Sequence, residues 1–283
     1  MVKGMRGAIE AGGTKFVCAL GTVPGDIRLT TIPTGSPDET VAAAIAFLGK
    51  EAGAVGIGTF GPVDLDPQST TFGHITTTPK LAWRGYDLAG AVRRGLGVPV
   101  AIDTDVNAAA RGEVRWGAGR GLDSIVYLTV GTGIGGGAWI SGEALGGVSH
   151  PEMGHIRIPH DCAVDPFPGV CPWHGDCLEG LASGPAIAAR WKCRPEEMPP
   201  DHKAWRLEAR YLALGLASLT CILSPQRVLI GGGVMRQAQL FPLVREELAR
   251  LLAGYIAVPE VMAPGLGERA GILGALALAE TAY

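Results

Sequence analysis

Three groups of residues in this chain have the types and spacing to do chemistry. The first is Asp103-Thr104-Asp105-Val106-Asn107, where the apolar run from Val98 to Asp103 gives way to a helical pattern. A carboxylate at a strand-to-helix junction is placed to take a proton from a substrate hydroxyl, which makes Asp105 the candidate general base. The plainer reading is an N-cap for the helix beginning near Asn107. The second group is a pair of glycine-rich turns, Glu10-Ala11-Gly12-Gly13-Thr14-Lys15 and Gly131-Thr132-Gly133-Ile134-Gly135-Gly136-Gly137. Each lies between two apolar runs and reads as the turn of a hairpin. Such turns leave backbone N–H groups free and let an anion approach closely. Gly12, Gly13 and Thr14 are candidates to cradle phosphate oxygens, with Lys15 offsetting their charge and Glu10 holding a metal-bound water. The alternative for the first turn is an ordinary tight hairpin with Lys15 in solvent. The third group is Cys171-Pro172-Trp173-His174-Gly175-Asp176-Cys177, three zinc-type ligands in seven residues. Tetrahedral zinc needs a fourth; His155 is the natural candidate, with His150, His160 and Cys162 as competitors. Nothing in the spacing holds a coordination position open, so the metal reads as a structural staple. Glu152 and Glu179 flank these residues and suit bidentate binding of sugar hydroxyls; otherwise they are surface charge.

Two phosphate cradles in one chain suggest two half-sites on one polyphosphate, hence a nucleotide-dependent phosphotransferase. Both Gly56–Gly61 and Gly131–Gly136 match G-x-G-x-x-G. A dinucleotide fingerprint also needs a helix opening at the glycines. Pro62-Val63-Asp64 follows the first and an apolar strand-like run follows the second, so a dinucleotide dehydrogenase is a poor reading.

The elements that would position these groups repeat in order. The first hairpin is followed by a strand-like Thr30–Thr34, a helix predicted over Pro37–Glu51 with Ser36 or Asp38 as cap, and a strand running into glycines over Ala54–Asp64. The second hairpin is followed by helical segments around Ala204–Leu223 and a strand running into glycines over Arg227–Met235. This is duplication of architecture without duplication of sequence. The boundary falls in or just after the helix following Asp105, giving a small domain over 1–113 and a larger one over 114–283. The Ala/Leu-rich segment from Glu268 is a helix expected to pack across both halves or back on the small domain. Pro159–Pro172, with four prolines, reads as an exposed loop. Cys18 and Cys221, in apolar strand and helix patterns, read as small core residues.

Composition narrows the class. The chain of 283 residues is 47% hydrophobic and 18% charged, with 43 glycines and a formal charge of −3. That balance gives no electrostatic case for nucleic acid or an anionic membrane. No apolar run reaches a membrane span and no signal peptide opens the chain, so a cytoplasmic protein is expected. Six cysteines in such a chain do not imply disulfides.

At these motifs the chain resembles the ROK family of sugar kinases, of the actin-like, ribonuclease-H-like ATPase superfamily. IEAGGTK resembles the family's first phosphate loop, with Glu10 where Asp is usual. GIGTFGPVD resembles the segment closing the small domain, TDVNAA the catalytic segment, TVGTGIGGG the second phosphate loop, EMGH with the Cys/His cluster and CLEG the zinc motif, and LIGGGVM the adenosine-side loop. Many glucokinase members carry Asn at the position of Thr104 and a C-x-C pair in the zinc motif. Those departures, with EAGGTKFVCA and CLEGLASGPAI, resemble the fructokinase branch. The resemblance implies an α/β fold of two actin-like domains with an interdomain cleft, and an ATP-dependent hexose kinase making fructose 6-phosphate. It implies Asp105 as base and sugar contacts from Thr104, Asp105, Glu152, His155 and Glu179. ATP with Mg²⁺ would lie on Gly12, Gly13, Thr14, Lys15, Gly131, Thr132, Gly133, Gly232 and Gly233. His155, Cys171, His174 and Cys177 would hold Zn²⁺. It further implies a homodimer. Some members of the family are transcription repressors with an N-terminal helix-turn-helix domain; with only a few residues before the first strand, that domain is not expected here. The rivals are a kinase for glucose, mannose or an N-acetylated hexosamine, a sugar-binding regulator without catalysis, and a zinc-stabilised interaction module.

Overall fold

The computed structural model describes residues 4–282. Its elements are β1 (Met5–Ala11), β2 (Lys15–Gly21), β3 (Ile27–Pro33), α1 (Pro37–Leu48), β4 (Ala52–Thr59), α2 (Leu88–Leu96), β5 (Val100–Thr104) and α3 (Asp105–Trp116). There follow β6 (Ser124–Val130), β7 (Ile134–Ile140), β8 (Glu143–Ala144), α4 (Leu178–Ala182), α5 (Gly184–Trp191), α6 (Ala204–Leu223), β9 (Arg227–Gly231), α7 (Leu240–Leu252), β10 (Glu260–Met262) and α8 (Ala270–Leu278).

The two sheets share one topology. The first runs β3-β2-β1-β4-β5 and the second β10-β9-β6-β7-β8. Read from the other edge, the second sheet is 8-7-6-9-10, the same order with each first-sheet strand number raised by five. The duplicated architecture is therefore real at the level of strand order, and the molecule is built from two actin-like α/β domains. Within the first sheet β1 pairs antiparallel with β2 and parallel with β4, and β4 pairs parallel with β5. Glu10, Gly58 and Asp103 thus lie in one row across the carboxyl ends of three parallel strands.

Alternation along β1 serves both faces of this sheet. Ile9 and Ala11 join a cluster with Phe16, Val41, Leu48 and Trp83, beside α1 and α2. Ala8 and Ala19 face Ile272, Leu273 and Leu276 of α8. A strand buried on both faces explains why its apolar run is nearly continuous. The contact between α3 and α8 is closer than side chains permit. A Cβ on Gly112 would stand 2.8 Å from the backbone nitrogen of Gly274, so small residues set that crossing.

By its contacts the chain forms two units. One holds the chain up to Gly121, Gly137–Pro151 and the segment from Gly265; the other holds Leu122–Gly136 and Glu152–Pro264. The expected boundary at 113/114 lies inside α3, and the contact division comes after it, at Gly121. The C-terminal helix packs on β1, β4 and α3 of the first unit.

Several local expectations shift. The first helix ends at Leu48, three residues early, where Gly49 adopts a positive φ. Its N-cap is Ser36, whose hydroxyl bonds Glu39 instead of a backbone N–H. The catalytic-segment helix starts at Asp105, not near Asn107. Cys18 is buried, but Cys221 is exposed, which corrects its placement in the core. It lies in the last turn of α6, where Leu219 and Thr220 take the inward positions and the next 100° steps turn Cys221 and Ile222 outward. The loop over 159–172 is irregular as expected, yet it buries Asp165. None of the described helices is long and apolar enough to cross a membrane.

Candidate active site

In the first unit, the site is built at the carboxyl ends of β1, β4 and β5. Strand β5 leads directly into α3, and the cap of that helix is Thr104, whose hydroxyl accepts from the Asn107 N–H at 3.1 Å. Capping therefore belongs to Thr104, which leaves Asp105 at the first helical position, where its carboxylate accepts from the Val106 N–H at 2.9 Å. Asp103 is committed to structure: its Oδ1 accepts from the Thr104 N–H and from Asn107 Nδ2. Burial raises the Asp103 carboxyl above its ordinary range, against the opposing pull of those bonds.

Gly12 to Lys15 close the β1–β2 turn. The Gly12 N–H donates to the Lys15 carbonyl at 3.0 Å, and a Cβ on Gly12 would approach that oxygen to 2.7 Å. Thr34 fixes the turn from the end of β3 by donating to the Gly12 carbonyl. Thr14 and Lys15 are exposed. Glu10 is placed differently from a free metal-facing acid. Its carboxylate accepts from the Ile272 N–H at the start of α8, against Gly271. Burial, then repulsion from Asp105, raises its pKa from 4.5 to about 7, with Lys15 and Ile272 opposing. The extra methylene over Asp gives the side chain that reach toward α8.

In the second unit, Gly131, Thr132 and Gly133 turn β6 into β7, with the Gly131 N–H bonded to the Gly133 carbonyl at 2.8 Å. Two later segments hold this turn. Gly184, at the start of α5, donates its N–H to the Gly131 carbonyl at 2.8 Å. Glu179 of α4 accepts from the Ile134 N–H at 2.9 Å, and a Cβ on Gly133 would stand 2.6 Å from the same oxygen. Gly232 and Gly233 follow β9. Gly232 has φ of 93°, a conformation that favours glycine, and packs on Val130 at the end of β6. The two glycine segments of this unit are thus neighbours, with the Gly233 N–H 3.9 Å from where a Gly131 Cβ would be.

The Cys/His cluster is brought together by a short 3₁₀ turn over Met153–His155 and the tight turn linking Cys171 to Gly175. One ligand atom each from His155, Cys171, His174 and Cys177 lies within 4.8 Å of all the others. His155 Nδ1 is 3.7 Å from Cys171 Sγ and 3.5 Å from Cys177 Sγ, and His174 Nδ1 is 3.6 Å from Cys171 Sγ. Tetrahedral zinc with ordinary Zn–S and Zn–N bonds spans an S···N edge of about 3.5 Å, so the donor set fits that ion. The competitors for the fourth position lie elsewhere. His150 accepts from the Val63 N–H in the first unit, and His160 faces Asp165 and Asp176, with Cys162 beside it. Glu179 Oε1 lies 3.9 Å from His155 Nε2. One carboxylate therefore faces both the glycine turn and the cluster, a link that residues 45 positions apart gave no means to foresee. Glu152, just before the 3₁₀ turn, is exposed.

An anchor for the zinc-type loop was also not foreseen. Asp165 accepts from Tyr211 Oη at 2.6 Å and pairs with Arg190 Nε at 3.1 Å. His160 Nε2 lies 2.9 Å from the Asp165 carbonyl, and His160 Nδ1 3.3 Å from Asp176, between His174 and Cys177.

The chain has the two actin-like domains of a sugar-kinase fold, each with a glycine hairpin between its first two strands. The model of the ROK family matches residues 6–282, and the chain belongs to that family. A protein of Bacillus subtilis (strain 168), provisionally named a fructokinase, is 46% identical over 98% of this chain and 96% of its own. The fructokinase of Pediococcus pentosaceus is 40% identical over 98% of both. Among solved structures, the ROK family glucokinase from Streptomyces griseus in complex with glucose and AMPPNP is 30% identical with a TM-score of 0.78, covering 98% of this chain and all of that one.

Proposed function

We infer that the protein is an ATP-dependent hexose kinase that converts fructose to fructose 6-phosphate. The observation that carries this is the 40–46% identity to proteins bearing the fructokinase name over nearly the whole of both chains. Asp105 supports it from the geometry: a carboxylate relieved of helix capping, at the carboxyl edge of the first sheet. In this reading Asp105 accepts the proton of the sugar hydroxyl as its oxygen attacks the γ-phosphorus. Thr104, Glu152, His155 and Glu179 orient the sugar. The turns at Gly12, Gly13, Thr14 and Lys15 and at Gly131, Thr132 and Gly133, with Gly232 and Gly233, hold the nucleotide. Their N–H groups stabilise charge at positions fixed before the substrate arrives. Mg²⁺ would accompany ATP and neutralise its phosphates, and Glu10 is the residue that would face one of its waters.

Zinc completes the reading. His155, Cys171, His174 and Cys177 would hold it, with Glu179 orienting His155 from behind, as carboxylates do for ligating histidines. Its chemistry is to staple the loop, which sets the ring of His155 and the backbone leading to Glu179. We take the protein to be a cytoplasmic homodimer, the latter checked by sedimentation velocity. The activity is tested by a coupled ADP assay over fructose, glucose, mannose and N-acetylated hexosamines, with and without Mg²⁺. Fructose is expected to give the highest kcat/KM. Asp105→Asn should lower kcat about 10²- to 10⁴-fold with a small change in KM. A near-normal kcat in that variant contradicts the role given to Asp105.

A further inference from the structure

In the first unit one buried cationic side chain has donors that the described residues do not take up. Arg111, on α3, makes no hydrogen bond to any described residue, and its Nε is buried without a partner. Its guanidinium lies over the ring of Trp139, 4.8 Å from the centroid. Two acids lie near enough for their fields to reach it, and neither bonds it. Asp103 is occupied by Thr104 and Asn107, and Glu280 by Arg6 and Arg115. A guanidinium offers five donors in a fixed fork, and the buried Nε of Arg111 is one that stays unpaired. Arg111 and Arg115, one helical turn apart, line an open cavity of about 190 Å³ with Trp139 and Glu280. That volume admits a small anion and is too small to enclose a nucleotide.

We propose that this cavity binds a phosphoryl group, as free phosphate or a small phosphate ester, on the fork of Arg111 over Trp139. Arg115 supplies the second charge. Its side chain is more than half exposed, and its 3.6 Å pairing with Glu280 is a weak surface pair that it can leave for a dianion, Arg6 remaining on Glu280. Phosphate is the class favoured because two guanidiniums match two negative charges and the fork matches two oxygens. Six residues separate Arg111 from Asp105 on the same helix, an axial rise of about 9 Å. An anion here touches α3 without touching the Asp105 carboxyl, so it would be a ligand distinct from the substrate.

The test is calorimetric titration of orthophosphate and of glycerol phosphate into the full chain at constant ionic strength, with Mg·ADP saturating the nucleotide loops. The readout is the difference between variants, so uptake elsewhere on the protein cancels. Wild type is expected to bind, Arg111→Gln to bind at least tenfold more weakly, and Arg115→Gln several-fold more weakly. Fructose phosphorylation in the absence of added phosphate should stay within twofold of wild type in both. Binding of both ligands assigns the site to the phosphoryl group alone; binding of glycerol phosphate only assigns it to an ester. Should Arg111→Gln fail to fold, Arg111→Lys carries the test: it keeps the charge, loses the fork, and should weaken binding at least threefold. Wild type without measurable binding, or unchanged affinity in the Arg111 variant that folds, overturns the proposal.

Discussion

Glu10 shows how one added methylene changes what a carboxylate does. An acid at the end of the first strand is a candidate to hold a metal-bound water, but Glu10, where the resembled family usually has Asp, reaches the start of α8 and accepts from Ile272. Its burial next to Asp105 raises the pKa from 4.5 to about 7. The folded protein therefore keeps this proton up to about pH 7, whereas the unfolded chain releases it at 4.5. Between those values unfolding releases a proton, so the contribution is fully present below pH 4.5, falls as pH rises, and is gone above the folded pKa. The full span amounts to about 3 kcal/mol. Glu10→Gln has no proton to lose. Its stability relative to wild type should rise by that amount from pH 4.5 to 8 in chemical denaturation without Mg²⁺, and a pH-independent difference would show that Glu10 does not titrate in this window. Asp105, by contrast, was legible in the chain itself, because an apolar run ending in Asp-Thr-Asp before a helical pattern is a local signal.

At the scale of elements, what could be read depended on sequence separation. The hairpins, the span of α6 and the strand beginning at Arg227 follow from local periodicity and turn residues. The supports of the site do not. Glu113 is buried on α3, and its carboxylate accepts from Ala118 at 2.7 Å and from Gly265 and Leu266 at 3.0 and 2.8 Å. Two of those partners lie more than 150 residues away. Nothing in the spacing around Glu113 indicates that the returning chain will bring two N–H donors to it, beside the local one from Ala118. Glu113→Gln sets an amide N–H₂ against those donors and should destabilise the protein by about 2–4 kcal/mol, read from the shift in its urea midpoint; a shift below 1 kcal/mol would mean that solvent replaces the bonds. The Cys/His loop makes a matching prediction. Protein purified without chelator should carry a single zinc per chain by metal analysis, and Cys177→Ser should lose it together with thermal stability. Metal-free wild type of full stability would remove zinc from the account.

The whole molecule repeats one sheet order twice, and this accounts for the paired glycine turns that mark the chain. Each turn follows the first strand of its sheet, β1 or β6, so duplication of the fold duplicated the glycine hairpin. What differs between the units is what surrounds those strands. In the first, α8 returns from the end of the chain to cover β1 and β4. In the second, the Cys/His loop and Glu179 support the turn. The domain count was legible from this repetition. The path of the chain was not, because an Ala/Leu-rich helix such as α8 is apolar all round and does not announce its partner. The central claim is phosphoryl transfer from ATP to fructose, and product identity tests it most directly. The protein is incubated with fructose and Mg·ATP, and the products are resolved by phosphorus NMR. The account predicts stoichiometric ADP and fructose 6-phosphate; ATP that stays intact, or ADP released with inorganic phosphate alone, would contradict it.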